Sequence, residues 1–476
     1  MYQLKGRRAC PLTARCLLYA VVLYGIAVAG CAGIAVAAAE AQPPRNIVVI
    51  VADGVAATQW DFGRYSSAVL RKKRFVTADF FRNEAIGLLV SSPHGAYITD
   101  SAAAGSAMAT GFKGENGVLS MTPDDNAPRT VMEAAKAAGK RVGLVTTSTV
   151  YDATPAAFTI HAKSRRDSQA LVDRLLEFGP DVLLGGGSEY FLPAATGGKR
   201  KDGKDVIAAF RAKGWQVAAS TGELKAAAGT KLLGLFAAED MDFDLERDPA
   251  KEPTLAEMTA AALRTLSQGN PQGFVLLVES ENTDIAGHAN DAAALMHSLW
   301  AVDDAVAVAL DFQRRTPGTL LIVAGDHETG GFAATYAQKD LSTLASSNRF
   351  YAGDAQLRML AGITLSFKTA AEKLGKKPSG EALDSLVAKH YPGFRLDPDL
   401  REMILTGKTL ERNHTYAVQN LLGRMVARQT GFYWGTGGHT AEPVLVGARG
   451  PGAELFRGYR DNTEFGRSLH RLLEVP

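Results

Sequence analysis

The sequence predicts an α/β fold: a central, mostly parallel sheet sandwiched by helices, with a mainly helical insertion before the last strands. Three observations predict it. Short β-branched apolar runs bounded by turn residues, NIVVIVA (46–52), GFVLLVE (273–279) and TLLIVAG (319–325), have the character of strands buried on both faces. Helical patterns alternate with such runs, the βα order that builds a parallel sheet. An acidic residue closes or follows each run: Asp53, Glu279 and Asp326. In open α/β sheets that end of the strands is where ligands bind.

The elements follow in order. A helix is expected over 129–140 and a strand over 141–147, then a helix over 166–178 and a strand with its turn over 181–187. Thr254 is placed to cap a helix over 254–268, which feeds the strand at 273–279. A long helical pattern over 289–315 feeds the strand at 319–325. From about 336 to 430 this rhythm breaks: the segment is mostly helical, has no good strand and reads as an insertion. A late strand (443–450) and a closing helix (462–475) end the chain.

With 46% hydrophobic and 21% charged residues over 476 positions, the composition is that of a globular protein with a large core. A net charge of +2 argues against nucleic-acid binding driven by bulk electrostatics. Residues 1–41 read as a targeting segment rather than part of the 42–476 domain. Lys5, Arg7, Arg8 and Arg15 precede an uncharged apolar stretch from Leu17 to Ala39, with Ala-x-Ala cleavage options near 37–41. That pattern predicts export to the periplasm or the exterior by a signal peptide. Two other readings stand beside it: a retained membrane anchor, since the stretch is long enough to span a bilayer, and a lipoprotein with Cys31 of VAGC as the lipidated residue. All three cysteines (Cys10, Cys16, Cys31) lie in this segment, so the 42–476 domain has no disulfide.

Four segments carry chemistry. In TDSAAAGSAMATG (99–111), Ser101 begins an Ala-rich helical run. It is either a plain N-cap or a nucleophile at a helix N-terminus, where free N–H groups favour an anion. In DIAGH (284–288), Asp284 and His288 are four apart and share a helix face, a spacing suited to zinc. DHETGG (326–331) sets Asp326 and His327 at a strand end beside glycines, and GGHT (437–440) presents His439 from a glycine turn. Each alone has a bland alternative, a helix cap or a solvated histidine. Together they fall where a parallel sheet brings them to one edge, and carboxylates gathered there call for bound cations.

These segments resemble an alkaline phosphatase of the metal-dependent, serine-nucleophile type. The motifs NIVVIVADG, TDSAAAGSAMATG, DATPAAFTIHAKSR, VESENTDIAGH, AGDHETGG and TGGHTAEPV stand in the family's order between about residues 45 and 473. The resemblance implies hydrolysis of phosphate monoesters through a phosphoserine on Ser101, releasing an alcohol and inorganic phosphate. It implies a first zinc on Asp284, His288 and His439, and a second on Asp53, Asp326 and His327. It further implies a magnesium on Asp53, Thr154 and Glu279, with Asp152 orienting magnesium-bound water and Arg165 gripping two phosphate oxygens. Ile285 departs from relatives that carry Lys, His or Trp there, which implies weaker phosphate retention. Members are often dimers, so a homodimer is expected. Diesterase and sulfatase cousins share a two-metal core. The sulfatase C/S-x-P-x-R signature is absent around Ser101, and an oxygen-only third site favours monoesters. A phosphate-binding protein without turnover is the rival from another class, and the intact nucleophile and Arg165 argue against it.

Overall fold

The computed structural model describes residues 43–339, 343, 345–410 and 415–474. Residues 1–42, which contain the three cysteines, and His414 lie outside the described residues.

Ten strands form the main sheet: β1 (Asn46–Ala52), β2 (Ala85–Val90), β3 (Arg141–Thr149), β4 (Val182–Gly186), β5 (Gln216–Ala218), β6 (Leu232–Leu235), β7 (Phe274–Ser280), β8 (Thr319–Ala324), β9 (Val444–Arg449) and β10 (Gly458–Asp461). Their order is β10-β2-β9-β8-β1-β7-β3-β4-β6-β5. Every neighbouring pair is parallel except those of β9, which runs antiparallel to both β8 and β2. The expected α/β architecture is therefore the observed one.

Period-2 geometry explains why β1 carries no polar residue after Asn46. Val48, Ile50 and Ala52 enter one hydrophobic core and Ile47, Val49 and Val51 enter the other, so both faces are covered. Phe274, Leu276 and Val278 of β7 divide from Val275 and Leu277 in the same way. The first core is closed by the helices Leu255–Ser267 and Ala292–Arg315, the second by helices that include Ser101–Thr110 and Asn462–Glu474. Register aligns the strand ends: Val51 pairs with Glu279 on one side and Ala324 on the other, and Thr146 of β3 also pairs with Glu279.

The structure departs from the sequence expectations at two places. The long helix begins at Ala292 rather than 289, because Asp291 caps it by accepting from the N–H groups of Ala293 and Ala294 (3.1 and 2.9 Å). Asn290 just before it is left-handed (φ 54°) and separates it from a short helix, Asn282–His288. The insertion, in turn, is not free of strands: Tyr336–Gln338 and Arg349–Tyr351 pair antiparallel. Three residues are too few for a strand periodicity to show in sequence. Among the described residues, five α-helices complete it, ending in Ala417–Thr430, whose Leu421, Leu422, Met425 and Val426 join the first core.

Candidate active site

The carboxyl ends of β1, β7 and β8 meet, and Asp53, Glu279 and Asp326 lie buried there. The turn after β1 is tight. Gly54 is left-handed (φ +72°), and a Cβ on it would lie 2.9 Å from both Asp284 Oδ1 and Thr329 Oγ1. Asp100, not Ser101, caps the helix Ser101–Thr110 by accepting from the N–H of Ala103 (2.9 Å). The Ser101 hydroxyl is thus free of capping and lies 3.1 Å from His327 Nε2.

Three ligand clusters converge. In the first, His288 and His439 flank Asp284: His288 Nε2 is 3.3 Å from Asp284 Oδ2 and His439 Nε2 is 3.6 Å from Oδ1. His288 Nδ1 donates to the Gly437 carbonyl (2.8 Å) and His439 Nδ1 to the Thr99 carbonyl (2.7 Å). A carbonyl only accepts, so both Nδ1 atoms carry the proton in the neutral rings. With both rings neutral, the two Nε2 lone pairs face each other across 3.0 Å, an arrangement that repels unless a proton or a metal ion sits between them. The antiparallel pairing of His439 with Thr329 ties the GGHT turn to the DHETGG loop.

In the second cluster, His327 Nε2 lies 3.4 Å from Asp53 Oδ1 and 3.3 Å from Asp326 Oδ2, all fully buried. Neither carboxylate oxygen has a hydrogen-bond partner. The third cluster contains Asp53, Glu279 and Glu281, with one oxygen of each within 4.8 Å of the others. Thr154 Oγ1 donates to Asp53 Oδ2 (3.5 Å), and Thr146 Oγ1 donates to Glu279 Oε2 (2.6 Å). Burial first, and neighbouring carboxylates after it, push Asp53 well above the ordinary carboxylate range and Asp326 up to about 7. Burial likewise raises Glu279 to about 8. So many acids cannot ionise together in one dry pocket unless cations compensate them. The donor sets fit such cations: nitrogen with oxygen in the first two clusters, oxygen alone in the third.

A cleft of about 840 Å³ opens over these groups. Arg165 stands in its wall, donating from Nη2 to Asp152 (2.9 Å) and lying 3.4 Å from Asp100 through Nη1. The insertion supplies the opposite side: Lys368, Glu372, Tyr416 and Gln419 line the same cleft. The Tyr416 ring stacks on His288 (centroids 5.0 Å apart, planes at 12°). Asn420 Nδ2 donates to the His288 carbonyl (2.8 Å). Ile285 lies in the cleft wall and packs on the first core.

Every sequence-predicted site residue lies at this edge. His161, by contrast, pairs with Glu133 (3.1 Å) and the Ser120 carbonyl (2.7 Å), a packing role apart from the clusters. Sequence reasoning missed Glu281, whose signal was its spacing: it stands two residues beyond Glu279, just past the strand end. It also missed the insertion side chains, which no local pattern marks.

Fold and site together define a cation-dependent hydrolase of the α/β class. The alkaline phosphatase family model matches residues 44–475. The chain is similar to alkaline phosphatase 3 of Bacillus subtilis, 29% identical over 96% of this chain and 97% of that one. It is also similar to the repressible alkaline phosphatase of Saccharomyces cerevisiae, 30% identical over 90% and 81% of the two chains. The crystal structure of Thermus thermophilus alkaline phosphatase superposes with a TM-score of 0.81 at 32% identity, covering 90% of this chain and 91% of that one. The chain belongs to the alkaline phosphatase family, whose members are metal-dependent phosphomonoester hydrolases.

Proposed function

We propose that Ser101 is the nucleophile of a phosphomonoesterase that binds two zinc ions and one magnesium ion. Asp284, His288 and His439 would hold the first zinc, and Asp53, Asp326 and His327 the second. Asp53, Thr154 and Glu279 would hold the magnesium. The observation that carries this reading is the Ser101 hydroxyl at 3.1 Å from His327 Nε2, beside the unpartnered oxygens of Asp53 and Asp326. When bound, the two zinc ions supply Lewis acidity to the attacking and leaving oxygens of an in-line displacement.

The protein's own groups do the rest. Ser101 Oγ attacks phosphorus, the ester P–O bond breaks, and an alcohol leaves. Water then hydrolyses the phosphoserine and frees inorganic phosphate. Arg165 offers a planar fork to two non-bridging phosphate oxygens, and its contacts to Asp152 and Asp100 aim that fork. The helix N-terminus beneath Ser101 adds N–H groups and a favourable dipole for the bound anion. Asp152 holds Arg165 and would also orient water on a magnesium bound at the third cluster.

Export follows from the basic and apolar pattern of residues 1–41. The test is hydrolysis of p-nitrophenyl phosphate beside the bis-ester, with zinc and magnesium present, for wild type and Ser101→Ala. Monoester turnover that dominates and collapses in the variant is expected. Dominant bis-ester turnover would move the protein to the diesterase branch.

A further inference from the structure

Glu281 belongs to the third cluster but has no part in the ligand sets proposed above. Its side chain is buried (7% exposed), and its Oε2 has no hydrogen-bond partner. Glu279 Oε1, two residues earlier, is equally unpartnered. Both acids lie with Asp53 in a cluster whose ligand oxygens are within 4.8 Å of one another. Among the described residues, the guanidinium facing this region, Arg165, directs its donors to Asp152 and Asp100 instead. Arg165 acts on Glu281 only as a nearby positive charge. A buried carboxylate oxygen without a donor is costly, and such groups are retained where something outside the chain satisfies them.

The position has a simple origin in the chain. β7 ends at Ser280, and Glu281, with helical backbone as the N-cap of the helix Asn282–His288, brings its carboxylate beside that of Glu279. The Glu-Ser-Glu step therefore delivers two carboxylates to one spot from a single strand end. Asp53 reaches that spot from β1, and the Thr154 hydroxyl contacts Asp53 from the helix Ala153–Ala157.

We propose that Glu281 is a fourth protein ligand of the third cation site, making it a three-carboxylate, one-hydroxyl site for a hard divalent cation. The inference rests on the proposed reading of that site as a magnesium site and goes beyond it. An all-oxygen shell selects a hard cation, and the number of charged ligands sets how tightly it is held. Glu281 adds one negative charge to the site and replaces one water. The third cation of this protein is accordingly held more tightly than Asp53, Glu279 and Thr154 alone would hold it.

The test is a Mn²⁺ titration of the zinc-loaded protein, with free Mn²⁺ followed by EPR, Mg²⁺ as competitor and zinc content measured by mass spectrometry. Wild type, Glu281→Gln and Glu279→Gln are compared. Wild type should take up one Mn²⁺ that Mg²⁺ displaces, and Glu281→Gln should weaken it about tenfold or more at unchanged zinc content. If Glu281→Gln binds Mn²⁺ as wild type does while Glu279→Gln binds it poorly, the role of Glu281 is overturned and the third site survives. If wild type binds no third ion, the magnesium reading itself fails. A second measurement does not depend on any variant folding: anomalous scattering from Mn²⁺-soaked wild-type crystals. A peak at bonding distance from the Glu281 carboxylate supports the inference, and a peak that Glu281 does not touch overturns it.

Discussion

The cleft has two walls of different kinds. One is the sheet edge, where Asp53, Glu279, Asp326 and their neighbours are held by strand register and by backbone groups. The other is the insertion, which reaches over the same cleft with Lys368, Glu372, Tyr416 and Gln419 on its helices and connecting segments. At the sheet edge the side chains are buried and their positions are shared among several strands. On the insertion Lys368, Tyr416 and Gln419 are half-buried and Glu372 is exposed, and Lys368 lies 3.8 Å from Asp240. On the proposed reading, the contrast is a division of labour: the groups assigned to the reacting atoms are fixed by many constraints at once, and those assigned to the rest of the substrate by few.

The sharpest way to test this division is Ser101→Ala. It should lower monoester turnover by on the order of 10³-fold or more, with the thermal transition nearly unchanged. A loss of less than tenfold would break the assignment of chemistry to the sheet edge.

Chelation comes next. Stripping the cations leaves Asp53, Glu279, Asp326 and Glu281 to repel one another in a dry pocket, so activity should vanish and Tm fall by about 10 °C. Both should return when zinc and magnesium are restored. An unchanged Tm would show that the buried acids are accommodated without cations.

A smaller effect is expected on the other wall. Lys368→Ala should raise KM about two- to fivefold for a negatively charged monoester and leave kcat alone, since a charge partly open to solvent contributes little energy. A fall in kcat would erase the distinction between the walls.

The last prediction supplies a control from neither wall. Asp303 is a buried acid of the long helix whose Oδ1 accepts from the N–H and hydroxyl of Thr77 (2.8 and 2.9 Å). Burial pushes its carboxyl up to about 6. Its folded pKa lies above its unfolded one, so the folded state binds the extra proton between about pH 4 and 6. Stability should decline as pH rises through that window, by at most roughly 3 kcal/mol. Asp303→Asn keeps the acceptor for Thr77 and should flatten that part of the stability–pH curve without changing turnover. A curve of unaltered slope would show that Asp303 is ionised in the fold.

The same contrast explains what could be read from the sequence. The sheet edge was legible because a fully buried strand is a continuous apolar run, and an acid at its end breaks the run where ligands bind. Asp284 and His288 were legible through helix spacing, and His439 through its glycine turn. Glu281 was not, because its neighbour Glu279 already accounted for the strand end. The insertion side chains were not legible either. Tyr416 meets His288 across 128 positions of chain only because the helix after it docks on the first core, a tertiary fact with no local signature. The break at Asn290 was hidden because a helical pattern runs on through it.

One contact at the seam has a consequence for how such an enzyme can be altered. Asn420 begins the docked part of the last insertion helix and grips the backbone carbonyl of His288. A Cβ on Gly437, in the turn that carries His439, would lie 2.7 Å from the Asn420 carboxamide oxygen. The helix 417–430 is therefore anchored to both arms of the histidine pair. An engineer retuning which alcohols this scaffold accepts should treat the helix 417–430 as chassis, because moving it moves both histidine arms at once.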